Sequence, residues 1–233
     1  MQYLCTNRCF IYGCGISNTL ILKQRDMKVL LVNGSQHKKG CTHRALVEVG
    51  EELKRQGIEI EEFWCGVKPI MGCLGCGRCK ESKRCWYDTD SVNAFLEKAE
   101  QVDGFIFGTP IHFAGPSGFI KPLMDRAFYS KGAIFWNKPA ATVVSCRRGG
   151  ALGGFEDINR YFTISNMPTV ASQYWNQVHG NTPDEVERDE EGLQIMRQLA
   201  RNMAWMLKCI EAGKKAGIPY PMHESPARTN FIR

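Results

Sequence analysis

Four cysteines stand close together as Cys73-x2-Cys76-x2-Cys79-x5-Cys85. Thiolate sulfur is a soft ligand that selects zinc or an iron–sulfur cluster, and two-residue gaps bring successive thiolates to one side of a compact loop. Structural zinc is usually held by two separated C-x2-C knuckles. Three cysteines in series suit a [4Fe-4S] cluster better, with the fourth closing the site. Gly72, Gly75 and Gly77 give the loop freedom to wrap an inorganic core. A zinc site and a cluster-free, redox-labile thiol loop stay open as alternatives. Cys65, Cys146 and Cys209 have no partner by spacing, and Cys209 is expected to pack as an inert core thiol.

A second chemical pattern is Gly34-Ser35-Gln36-His37-Lys38-Lys39-Gly40-Cys41-Thr42. It offers hydroxyls, basic side chains and glycines between a strand-like and a helix-like segment. Such a loop aims backbone N–H groups outward and makes a phosphate cradle. It lacks both the G-K-[ST] ending of nucleotide-triphosphate loops and the G-x-G-x-x-G of dinucleotide sites. One monophosphate is the expected ligand; a polar turn with Thr42 as helix cap is the plainer alternative.

The elements that must position these loops begin at Met27. Lys28–Asn33, Ile58–Trp64, Asp103–Gly108, Pro139–Ser145 and Thr169–Trp175 read as strands. Between and after them lie helical patterns: one with Leu46, Val49 and Leu53 on one face, then Ser91–Gln101, Ser117–Ser130, Phe155–Ile164 and Asp189–Gly213. Pro122 must kink its helix or sit in the first turn. The alternation predicts an α/β fold, a doubly wound five-stranded parallel sheet with helices on both faces and a cysteine-rich insertion (65–90) after the second strand. In such sheets ligands sit beyond the carboxyl ends of the strands. Residues 27–217 form the expected domain, with Met1–Asp26 as an appendage and 218–233 as a tail along the surface or against a partner subunit.

The phosphate loop resembles the G-S-x-R-x-x-G-N-T loop of flavodoxin-fold NADPH-dependent FMN reductases. Ser35, Gly40 and Thr42 match it, while His37 and Cys41 replace the usual Arg and Asn. Thr109-Pro110-Ile111-His112-Phe113, with Gly118-Phe119-Ile120-Lys121 and Asp125-Arg126, resembles the family's S-P-x-Y-x…G-x-x-K…D-R stretch. Ser145-Cys146-Arg147-Arg148-Gly149-Gly150 resembles the loop that reaches the flavin's pyrimidine edge. The resemblance implies a flavodoxin-like fold binding FMN. Ser35, His37, Lys38, Gly40, Cys41 and Thr42 would hold its phosphate. Pro110, Ile111, His112 and Phe113 would lie along the ring, stacking passing to Phe113, and Ser145, Arg147, Gly149 and Gly150 would meet its edge. The cysteine run is similar to that of the family's iron–sulfur flavoprotein branch, which implies a [4Fe-4S] cluster on Cys73, Cys76, Cys79 and Cys85 close to FMN.

The implied function is an FMN-dependent oxidoreductase or electron-transfer flavoprotein, the cluster relaying electrons to or from FMN and NAD(P)H or a ferredoxin serving as donor. A cluster-free NAD(P)H-dependent FMN or quinone reductase, a non-enzymatic flavodoxin-like electron carrier and a thiol redox sensor are the rival readings. No catalytic side chain is assigned, and His112 is placed as a packing or stacking residue rather than a proton donor.

Composition agrees with this chemistry. The 233 residues are 43% hydrophobic and 23% charged, ordinary for a globular chain. The net charge of +6 is scattered, and no nucleic-acid recognition motif accompanies it. No apolar run approaches the roughly 18 residues of a membrane span. Eleven cysteines, an odd number without a secretion-signal pattern, argue for a reducing compartment. The expected surroundings are cytoplasmic. The expected partners are a small-molecule or redox-protein electron donor or acceptor and further copies of the chain as a homo-oligomer, with no nucleic acid and no membrane.

Overall fold

An apolar run such as KVLLVN has no face to offer water, and the computed structural model of the protein buries it from both sides. The structure describes residues 26–225, together with 227 and 229. The expected appendage, except for Asp26, and the end of the expected tail lie outside the described residues.

The chain runs β1 (Lys28–Asn33), α1 (Cys41–Arg55), β2 (Glu59–Trp64), α2 (Cys79–Ser82), α3 (Val92–Ala99) and β3 (Gly104–His112). It continues through β4 (Gly115–Pro116), α4 (Ile120–Lys131), β5 (Ala140–Cys146), α5 (Ala151–Ile164), β6 (Gln177–His179), α6 (Pro183–Glu187) and α7 (Glu190–Lys215). The five parallel strands stand in the order β2-β1-β3-β5-β6, the order of flavodoxin. The two-residue β4 pairs antiparallel with the end of β3.

Alternating side chains divide the core into two layers. Val29, Leu31, Ile106 and Val143 meet α1 and α7, while Leu30, Val32, Phe105 and Phe107 meet α3, α4 and α5. The second layer is aromatic: Phe128 stacks on Phe135 at 4.1 Å between centroids, and Phe95, Phe105 and Phe107 surround them. Each such ring contributes on the order of 2–3 kcal/mol when fully buried. Among the described residues no helix is long and apolar enough to cross a membrane.

The architecture agrees with the sequence pattern, but several boundaries move. The fifth strand is Gln177–His179, not Thr169–Trp175. In the expected segment only Thr169 bridges to Ala140. The Ser172 hydroxyl donates to the Tyr174 carbonyl (2.6 Å) and accepts from the Tyr174 N–H (3.3 Å), so a local turn replaces the ladder. β3 runs on through Thr109–His112, a stretch whose composition suggests a loop, because Thr109 and Pro110 stay in register with Val144 and Ser145. Pro122 lies in the first turn of α4, where its missing N–H costs nothing. Cys209 is exposed on α7 rather than packed in the core.

Between α1 and α7 lies one buried carboxylate. Glu52, 4% exposed, accepts hydrogen bonds from Arg201 (2.8 Å), Arg55 (2.9 Å) and Gln56 (3.0 Å). Burial alone would raise its pKa; these donors outweigh it and hold the carboxyl down at about 2. Because the folded value lies below the ordinary 4.5, the contribution is present above about pH 4.5 and is lost as pH falls toward 2. Replacing Glu52 by Gln is expected to lower the unfolding free energy by about 1–3 kcal/mol at neutral pH. The deficit should shrink below pH 4. Urea unfolding at the two pH values measures it, and equal deficits at both would show that the charge is idle.

Candidate functional site

Asn33 ends β1 and shapes the loop that leaves it. Its Oδ1 accepts from the Ser35 N–H (3.0 Å) while its Nδ2 donates to the Lys38 carbonyl (3.1 Å). The buried Ser35 hydroxyl accepts from the His37 N–H (3.1 Å), and the Gly40 N–H closes the turn on the His37 carbonyl (3.0 Å). Gly40 is the N-cap of α1 and no side chain caps the helix, so the first-turn N–H groups are left for an external acceptor. Thr42 does not take the capping role. Its hydroxyl lies 2.8 Å from that of Ser145, buried, and so ties α1 to β5.

Other loops are drawn to the same place. Cys41 donates its thiol to the Gly180 carbonyl at 3.6 Å, and burial pushes that thiol up, which keeps it a neutral donor. Ser117 donates to the Gly34 carbonyl, and its N–H reaches the Thr109 hydroxyl (2.9 Å). A cleft of about 570 Å³ opens over these strand ends. That volume falls within the roughly 300–1,000 Å³ of small-molecule sites.

Ser35, His37, Gly40, Cys41, Thr42, Pro110, Ile111, His112, Ser145 and Arg147, all singled out from the sequence, line this one cleft. Four others do not. Lys38 turns its ammonium over the Trp64 ring, 5.5 Å from the centroid, and Lys39 lines the cleft in its place. Gly149 is exposed, and Gly150, at φ 87°, is the N-cap of α5. Phe113 is fully exposed. It and Ala114, at φ 51° and 60°, form the two-residue turn between β3 and β4, whose geometry needs positive φ at both positions. The sequence reading missed Asn33, Trp64 and the Gly180–Pro183 segment. An Asn at a strand end before Gly-Ser is a local turn signal. Gly-Asn-Thr-Pro gives a cap-and-start signal for α6, where Thr182 accepts from the Glu185 N–H.

The cysteine segment starts beside this loop. Trp64 donates its indole N–H to the Ser35 carbonyl (2.7 Å), and the Cys65 N–H donates to the Asn33 carbonyl (3.0 Å). Gly75 and Gly77 take φ of 62° and 72°, turning the chain between successive cysteines. Asn93 clamps the far end, accepting from the Cys85 N–H (3.1 Å) and donating to the Cys85 carbonyl (2.9 Å) and Asp88 (2.8 Å). Cys73, Cys76, Cys79 and Cys85 line a single cavity together with Arg126. Burial, and then the neighbouring Cys85, Cys73 and Cys76, push the Cys79 thiol up.

Among the described residues no three His, Cys, Asp or Glu close on a single ion. Four thiolates on one zinc at about 2.3 Å would hold their sulfurs within about 4 Å of one another. A [4Fe-4S] cluster interposes metal and sulfide atoms between its ligands and needs no such closeness, and four soft thiols lining one cavity are the donor set it takes. Cys65 stands apart: buried, it is pushed up to about 12 and stays an inert thiol.

The sequence profile of the family described as NADPH-dependent FMN reductase matches residues 27–182. An iron-sulfur flavoprotein of Methanocaldococcus jannaschii is 32% identical over 193 residues, covering 79% of this chain and 100% of its own. A second from the same organism is 30% identical over 200 residues, covering 78% and 98%. The crystal structure of a flavodoxin, WrbA-like protein from Agrobacterium tumefaciens superposes with a TM-score of 0.55 at 14% identity, covering 79% of this chain and 99% of that one. The last likeness is one of fold.

The β3–β4 turn leans on α5 at a glycine. A Cβ on Gly153 would lie 2.4 Å from the Ala114 carbonyl oxygen, a backbone atom. Gly153→Ala is therefore expected to cost about 1–2 kcal/mol, overpacking less the helical advantage of alanine. Thermal unfolding measures it; a variant as stable as the parent would show that the turn gives way freely.

Proposed function

The chain belongs to the NADPH-dependent FMN reductase family, among relatives named iron-sulfur flavoproteins, and on that footing we propose that it is an FMN-dependent oxidoreductase whose Cys73, Cys76, Cys79 and Cys85 hold a [4Fe-4S] cluster that exchanges electrons with FMN. The observation that supports the reading is the convergence of those four thiols on one cavity, on a segment rooted by Trp64 and Cys65 against the phosphate loop. When bound, FMN supplies hydride and single-electron chemistry, and the cluster single-electron chemistry.

The protein's own part is to bind and orient. Ser35, Thr42 and the N-terminal turn of α1 offer donors to a phosphate, and His37 and Lys39 line the same cleft. Arg147 brings a cation to the cleft, which favours negative charge on a ring edge. Pro110, Ile111 and His112 give a wall against which a flat ring can lie, and no side chain is assigned a proton-transfer step. A nicotinamide or a redox protein is the electron donor in this reading, and the setting is the cytoplasm.

Anaerobically prepared and reconstituted protein is expected to carry one FMN and about four iron per chain, the stoichiometry of this cluster type. Changing any of Cys73, Cys76, Cys79 or Cys85 to Ala should lower iron and sulfide together while FMN stays; changing Cys65 or Cys209 should not. Iron-free protein would leave the cluster-free FMN or quinone reductase as the better reading. Replacing Ser35 and Thr42 together by Ala should weaken FMN binding by about 1–3 kcal/mol, the loss of hydrogen bonds to a charged acceptor. A flavin titration with unaltered affinity would move FMN to another site.

A further inference from the structure

Arg126 is the largest of the fully buried side chains among the described residues. Its side chain is 1% exposed, and that of its ion-pair partner Asp90 is 3% exposed. A guanidinium has five N–H donors in a fixed plane, and here all five have acceptors. Nη1 donates to Asp90 and to the Met71 carbonyl (3.2 Å). Nη2 donates to the Tyr87 carbonyl (2.7 Å) and to the Cys85 sulfur (3.2 Å), and Nε donates to that same sulfur at 3.3 Å. The Tyr87 ring lies 5.3 Å from the guanidinium carbon.

The use of Nε and Nη2 is informative. A salt bridge that only braced the loop would need Asp90 and the two carbonyls. The Nε/Nη2 edge is the fork with which arginine grips an anion bidentately, and both its arms meet one sulfur. A neutral thiol is a weak acceptor for such a fork; a thiolate is a strong one. Among the described residues no side chain donates to the sulfurs of Cys73, Cys76 or Cys79, so the four thiols are not equivalent. Asp90 balances the charge of Arg126, and what reaches Cys85 is chiefly a pair of oriented N–H dipoles.

Resting on the cluster reading, we infer that Arg126 is the positioning residue for the fourth cluster ligand. Its Nε/Nη2 fork fixes the Cys85 sulfur and biases the cluster toward its reduced form. Reduction adds electron density that the sulfurs share, so donors aimed at a ligand sulfur stabilise the reduced state and raise the potential. The same side chain holds Met71, Tyr87 and Asp90, so the sulfur it orients cannot drift from the other three without breaking bonds to the segment on both sides.

The test uses the full chain, reconstituted anaerobically, with iron content, FMN content and cluster midpoint potential measured side by side. Arg126→Lys keeps the cation but cannot fork. It is expected to retain FMN while its cluster potential falls by about 59 mV or more, a tenfold loss of preference for the reduced form. The double variant Asp90→Asn/Arg126→Gln leaves no buried charge unbalanced and repeats the comparison should the lysine variant lose its flavin. Iron-loaded variants with the parent's potential overturn the inference and leave the cluster reading standing; iron-free parent protein overturns both. If neither variant holds iron, pulsed EPR of the reduced parent carrying arginine labelled with nitrogen-15 in the guanidinium group alone decides. Coupling of the cluster spin to an arginine nitrogen supports the fork, and its absence overturns it.

Discussion

A parallel sheet covered by helices on both faces leaves polar chemistry its readiest place at the strand ends. The inner strands are buried on both sides, so a polar group among them meets hydrocarbon unless it finds a partner, as the Thr142 hydroxyl does in Asn159. At the carboxyl ends the chain leaves the sheet, and several loops emerge within reach of one another. The placing of the cleft depends on that constraint. The loops are then joined by hydrogen bonds that replace the missing ladder: Thr42 with Ser145, Ser117 with Gly34, Cys41 with Gly180 and Trp64 with Ser35. Each links segments distant in sequence, so the shape of the cleft is a property of the whole sheet.

This division explains which elements are legible in the sequence. KVLLVN, DGFIFG and PAATVVS are apolar runs whose burial needs no partner to be inferred, and their strand order is constrained by right-handed crossovers. The cysteine spacing and the phosphate loop are chemistry written within a few consecutive residues. The edge strand β6 is legible only through its pairing with β5, because Thr169–Trp175 has the better local pattern and loses to a serine-stabilised turn. Phe113 stands at the tip of a turn because β4 pairs with β3, a placement its neighbours in sequence do not announce. Lys38 and Lys39 are equivalent as a pair of basic residues; only Trp64, arriving from β2, distinguishes them.

The two halves of the site are held by different physics. The cleft is anchored in the sheet, with its donors set by backbone geometry and by buried hydroxyls. The cysteine segment is poor in apolar contacts; Val67, Leu74 and Trp86 are exposed. Its order comes from polar clamps: Asn93 on Cys85 and Asp88, and Arg126 on residues either side of the thiols. The exposed pairs of Arg84 with Asp88 and Glu97 add little, since solvent screens them.

Those clamps also answer a charge problem. In the proposed reading a doubly negative phosphate would meet a partly open surface with His37, Lys39 and Arg147, where water would share the cost. On the same reading four thiolates would bring negative charge to a place where burial and the neighbouring cysteines already push the Cys79 thiol up. A lone buried cation there would trade one desolvation cost for another. Arg126 enters already neutralised by Asp90, so the segment gains donors without gaining net charge. Oriented dipoles in a fixed frame stabilise charge without having to reorganise when an electron arrives, which is what the proposed cluster would require of the residues around it.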